Sequence, residues 1–176
     1  MKLRKNKKGF TLVELLVVIA IIGVLAVVAV PALFSNINKA KVASVESDYS
    51  SVKSAALSYY SDTNKMPAAT ADSTKPANLN DLNSYMDTLP DKADIGGSYQ
   101  LFLSGKKLVL QIGVEDNGAT LTKAQSAKLV SDLGENKIYK NADLAIANKL
   151  NSADEINNEP LYIVLIDNAD MNAGTK

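Results

Sequence analysis

From Leu15 to Val30 sixteen consecutive residues carry no polar side chain, and Pro31, Ala32, Leu33 and Phe34 extend the run to twenty before Ser35. As a helix rising ~1.5 Å per residue, such a run covers about 30 Å, one bilayer hydrocarbon thickness. A helix apolar on every face has no side to turn toward water, so a soluble fold would have to enclose it completely. At 176 residues the chain has material for one globular domain plus this appendage, not for two full domains.

Charge is unevenly placed around the run. Lys2, Arg4, Lys5, Lys7 and Lys8 precede residue 10 with no acidic residue among them. The positive-inside rule keeps these side chains in the cytoplasm and puts everything after Ser35 outside. The whole chain balances 19 basic against 19 acidic side chains, but without residues 1 to 9 the balance is 14 to 19. The remaining acidic chain is poorly suited to binding phosphate, and no aromatic residue interleaves the basic cluster, so no nucleic-acid partner is expected. Cysteine and histidine are both absent. That excludes disulfides and thiolate metal sites and removes the commonest general base, so no cofactor, metal site or catalytic residue is expected.

Hydrophobicity alone leaves two ordinary readings open. One is a secretory signal peptide, with small residues at Val27 and Ala29 for a signal peptidase. The other is an uncleaved anchor. Neither calls for Glu14, which stands among Leu12, Val13, Leu15 and Leu16. A carboxylate at a membrane-helix centre costs about 2.5 to 3.5 kcal/mol, and less where headgroups hydrate it.

The surrounding residues read Lys7-Lys8-Gly9-Phe10-Thr11-Leu12-Val13-Glu14-Leu15-Leu16. This stretch resembles the class III signal of type IV prepilins, matching it in the basic leader, Gly9, Phe10, Thr11, Leu12, Glu14 and the apolar run. The resemblance implies that a prepilin peptidase cuts between Gly9 and Phe10 on the cytoplasmic side. It further implies that Phe10 is N-methylated and that Glu14, fifth in the mature chain, neutralises the terminal amine of an adjacent subunit. Phe10 and Glu14 then direct filament assembly. Removing one partner of such a low-dielectric pair costs about 3 to 5 kcal/mol, so the pair specifies axial register more than it adds stability. Pro31 removes a helical hydrogen bond and is expected to kink the helix, again at a position that resembles the family pattern. Gly23 would ease close helix packing.

Past Phe34 the periodicity changes. Val42, Val45, Tyr49, Val52, Ala56 and Tyr59 recur at alternating spacings of three and four, predicting an amphipathic continuation of the same helix. Uninterrupted, residues 10 to 61 would form a rod of roughly 78 Å. Asp62, Asn64, Pro67, Asp72, Ser73, Pro76 and Asn78 mark a loop. A short turn carrying Leu79, Leu82, Tyr85 and Met86 follows. Two runs, 98–103 and 107–113, predict a hairpin around Ser104-Gly105-Lys106. Thr122 with Gln125 reads as a capping box opening a helix with Ala124, Ala127, Leu129, Val130 and Leu133 inside and Gly134 at its end. Residues 141–151 are expected to add a short helix. The unbroken run 161–166 predicts a central strand. Glu115-Asp116-Asn117-Gly118 reads as a tight turn rather than a calcium loop, lacking the distal glutamate. Asp154, Glu155, Asp167 and Asp170 are expected on the solvated surface.

The expected division is a leader, 1–9; a membrane and filament-core helix, 10–34; its amphipathic half, 35–61; a helix-to-sheet connection, 62–97; and an antiparallel sheet with accessory helices, 98–176. The fold class is α+β, a pilin fold whose helical spine packs on the sheet. Lacking cysteine, the chain departs from Gram-negative pilins that close their C-terminal region with a disulfide. Its first sixty residues, including 31–41, look instead like a clostridial, Gram-positive major pilin. The implied function is a structural subunit that polymerises with its own kind, with the peptidase and the pilus assembly platform as partners. The membrane holds it before assembly and the cell-surface pilus afterwards. Motility, adhesion, aggregation and biofilm are the implied uses. A type II secretion pseudopilin or competence pilin is the alternative within this architecture, and a membrane-tethered enzyme or ligand-binding module the alternative outside it.

Overall fold

In the computed structural model, residues 9–67, 79–114 and 117–167 are described. The basic leader side chains of residues 2–8, the loop residues 68–78, Glu115-Asp116 and Asp170 lie outside them. The chain divides into two compact units, residues 1–38 and 39–176. Helix α1, Leu12–Thr63, contributes to both.

Within the second unit, α1 buries Val42, Val45, Tyr49, Val52, Ala55 and Ala56, the predicted stripe with Ala55 added. Tyr59 is half-buried and packs on the same core. The helix runs to Thr63, whose hydroxyl donates to the Tyr59 carbonyl at 2.7 Å. Asn64 then takes a left-handed φ of 52°, which short polar side chains tolerate, and the helix ends. A 3₁₀ turn at Leu79–Leu82 buries Leu79 and Leu82, the first two residues of the predicted turn.

Six antiparallel strands follow: β1 Tyr99–Ser104, β2 Lys107–Val114, β3 Asn117–Leu121, β4 Ile138–Tyr139, β5 Ile156–Glu159 and β6 Leu161–Ile166. Their order is β4-β6-β2-β3-β5, with β1 also pairing β2. The β1–β2 hairpin is one residue tighter than expected. Ser104 pairs Lys107, leaving a two-residue turn in which Gly105 has φ 59°. β6 lies between β4 and β2, the central position its unbroken apolar run implies.

Both faces of this sheet are covered, which explains why β1, β2 and β6 do not alternate with polar residues. Leu101, Leu103, Leu108, Leu110, Ile112, Leu161 and Ile163 join the α1 stripe in the main core. Phe102, Val109, Tyr139, Tyr162 and Val164 form a second cluster, with Leu144 packed on it. Phe102 and Tyr162 meet edge to face, ring centroids 5.7 Å apart.

Helix α2, Lys123–Leu133, has the expected capping box, ends at Gly134 and buries Gln125, Ser126, Leu129 and Val130. Several expectations need correction. Residues 141–151 form only a 3₁₀ turn at Ile146–Asn148. There the Asp143 carboxylate accepts from the Ala145 N–H at 2.9 Å and the Asn148 amide at 3.0 Å, competing with helical bonds, and Leu144 adopts φ 51°. Asp154 is half-buried, not simply solvated: it accepts from Lys140 Nζ and the Asn151 N–H, both at 2.9 Å. The strands β3, β4 and β5 carry no clear strand signal, being short, with turn-like Asn-Gly opening β3 and three polar residues of four in β5.

Candidate processing and assembly site

Gly9 and Phe10 precede α1 outside regular secondary structure, both exposed, Phe10 at 89%. A Cβ added to Gly9 would meet nothing within 4 Å. Within the described residues, then, glycine at position 9 answers to no packing need.

Two residues on, Thr11 and Glu14 form a capping box. The Thr11 N–H and its hydroxyl each donate to Glu14 Oε2 at 2.8 Å, and the Glu14 N–H returns to the Thr11 hydroxyl at 3.3 Å. This satisfies donors that every helix N-terminus leaves open and sets a negative charge against the positive end of the helix dipole. The sequence carries the signal, as Thr-x-x-Glu before an apolar run, beside the charge that marks Glu14 out first. It changes the weight of Glu14, because even a passive anchor gains a better helix start from it. What capping does not account for is the carboxylate's second oxygen: among the described residues, both hydrogen bonds that Glu14 accepts go to Oε2.

Every large apolar side chain from Leu12 to Phe34 is exposed. Among the described residues α1 is the helix long and apolar enough to cross a membrane. The helix continues through Pro31. An apolar surface of this extent on all sides requires lipid or neighbouring helices to cover it.

In the second unit, a groove of about 520 Å³ lies between α1 and the segment 85–90, lined among others by Asp48, Ser51, Ser54, Tyr85, Met86 and Leu89. The Tyr99 hydroxyl donates to Asp48 Oδ2 at 2.9 Å, so the one carboxylate on its α1 wall is already held. No group of three or more His, Cys, Asp or Glu able to hold a metal occurs among the described residues.

Comparison with known proteins adds three findings. The family described as prokaryotic N-terminal methylation motif matches residues 4–30, and that described as PilW, C-terminal, matches residues 36–111. The solved structure titled as the major type IV pilin PilA1 from Clostridium difficile is 66% identical, with a TM-score of 0.68. The likeness covers 76% of this chain and 99% of that one. No curated protein matches the sequence.

Proposed function

We propose a route to the filament for this chain, which belongs to the type IV pilin family: a prepilin peptidase cuts between Gly9 and Phe10, Phe10 is methylated, and the freed helix joins its neighbours. The chain is a structural subunit of a pilus. The observation that carries the route is the exposed apolar helix headed by the Thr11–Glu14 box, directly after a glycine that its own packing does not require. The methylation-motif match over residues 4–30 supports the same cut.

The route follows from the physics of the segment. Before assembly the apolar helix lies in the membrane once, with the leader in the cytoplasm and residues after Ser35 outside. Cleavage after Gly9 removes five basic side chains and their hydration while keeping the helix. It also creates an ammonium group at Phe10, and Glu14 of a neighbouring subunit supplies the opposite charge in the filament. Each charge is costly in hydrocarbon alone, so subunits align where the two meet. Pro31 gives the helix a site at which to bend or open during packing. Membrane extraction then exchanges lipid contacts for contacts with identical helices at an assembly platform.

High identity to a protein titled a major pilin supports a major-subunit role here, with surface motility, adhesion, aggregation or biofilm as uses of the filament. N-terminal mass spectrometry of surface protein tests the processing step. N-methylated Phe10 is the expected start, and a start at Val30 would mean secretion by an ordinary signal peptide. Deletion of the gene should remove nearly all filaments seen by electron microscopy. Their persistence in number would refute the major role.

A further inference from the structure

Asn117-Gly118 is the only Asn-Gly pair in the sequence. Such pairs are prone to a defined reaction. The glycine backbone nitrogen, losing its proton, attacks the asparagine side-chain carbonyl carbon; ammonia leaves, and a five-membered succinimide forms. Water then opens the ring to aspartate or to isoaspartate, whose main chain is one carbon longer. Two things are needed: an unhindered glycine nitrogen and a backbone free to bring it round.

The fold does not allow this glycine to be exchanged. A Cβ on Gly118 would lie 2.3 Å from the Glu159 carbonyl carbon and 2.5 Å from its nitrogen, both backbone atoms. The labile pair is therefore fixed by the close approach of β3 and β5. At the same place β5 carries an irregularity. Ala119 pairs Glu159 and Thr120 pairs Asn157, so Asn158 is the extra, unpaired residue of a β-bulge, at φ 57°. Asparagine accepts that conformation at low cost. From it, the Asn158 side chain Oδ1 accepts the Gly118 N–H at 2.9 Å, occupying the nitrogen that would attack. Asn117 itself is exposed and held in register opposite Val114.

We propose that Asn117 is a deamidation site that the folded domain keeps closed through Asn158, so that modification falls on chains that have not folded or have come apart at β3. The consequence is one-directional. Isoaspartate at 117 lengthens the backbone where Gly113 pairs Gly118 and where Gly118 meets Glu159, and a chain so modified cannot re-form this junction. The bulge residue thus couples the chemical lifetime of the chain to its folded state.

The test uses the full chain in detergent micelles at mildly alkaline pH, with and without a denaturing concentration of urea. Deamidation is read by mass spectrometry on the peptide from Leu108 to Lys123. Asn83-Ser84 and Asn151-Ser152 serve as internal controls. Expected is slow conversion at Asn117 in the native sample and conversion at least tenfold faster in urea. Asn158→Ala should raise the native rate at Asn117 selectively over the two controls. Asn158→Asp, which keeps an acceptor oxygen and tolerates the same backbone conformation, should leave it low. Equal native and denatured rates, a native rate in Asn158→Ala that is unchanged or rises in parallel at all three sites, or equal acceleration by Asn158→Asp, would overturn the proposal.

Discussion

Thr11 holds Glu14 by two bonds to a single oxygen, its N–H and its hydroxyl each 2.8 Å from Oε2. Capping can therefore be tested apart from the charge pairing proposed for Glu14. Glu14→Gln keeps an acceptor for Thr11 but has no charge, so it should cap the helix normally and be cut after Gly9, yet fail to enter filaments. Glu14→Ala should also fail. Thr11→Ala loses the cap, worth about 1 kcal/mol at a helix start, and should lower pilus yield without abolishing it. Counting filaments by electron microscopy and checking the processed mass separates these outcomes. Normal filaments from Glu14→Gln would leave capping as the residue's whole role.

Gly118→Ala probes the β3–β5 junction directly. The new methyl would meet Glu159 backbone atoms at 2.3 to 2.5 Å, and backbone cannot rotate away as a side chain can. Overpacking of this kind costs about 1 to 3 kcal/mol. In a domain of this size, that lowers the melting temperature by about 2 to 4 °C for each kcal/mol. A wild-type melting curve would show that the two strands can separate at little cost.

How much of this was legible in the sequence depended on the kind of signal. The α1 stripe from Val42 to Ala56 was readable because a half-buried helix writes its burial in spacing. The β1–β2 hairpin and β6 were readable because strands covered on both faces keep apolar runs. β3 and β5 carried no such mark: Asn117-Gly118 and Asn157-Asn158-Glu159 look like turn sequence, and they pair because a glycine and a bulge let two backbones approach. At the candidate site, the motif around Gly9, Phe10 and Glu14 was fully visible. The Thr11 contact is equally visible there as Thr-x-x-Glu ahead of an apolar run, a capping signal that the hydrophobicity of the segment masks.

The α2 cap offers a second, independent test of local stabilisation. Thr122 Oγ1 accepts the Gln125 N–H at 3.4 Å and Gln125 Oε1 accepts the Thr122 N–H at 2.9 Å. Thr122→Ala should cost about 1 kcal/mol, read as a lower urea midpoint with an unchanged slope. A changed slope would mean instead that α2 unfolds separately from the sheet.

The contact between α1 and α2 should make stability depend on pH in a direction opposite to ordinary acid denaturation. Burial raises the Glu46 carboxyl from 4.5 to about 6, helped by a hydrogen bond and charge from Asp132 and opposed by Lys128. Its Oε1 is buried with no hydrogen-bond partner among the described residues, which further disfavours the charged form. The folded chain thus holds this proton more tightly than the unfolded one. Its contribution is fully present below the unfolded value of 4.5 and is lost as pH rises through about 6. Asp132 works in the other sense: hydrogen bonds with Lys128 and Glu46 lower its carboxyl, so its contribution is lost only as pH falls below the ordinary carboxylate range. Between these windows, the melting temperature of the full chain in detergent should decline as pH rises from 4.5 to about 6.5, and Glu46→Gln, neutral throughout, should flatten the decline. A profile rising across that interval, or one that Glu46→Gln leaves unchanged, would show that the proton is not held at this helix contact.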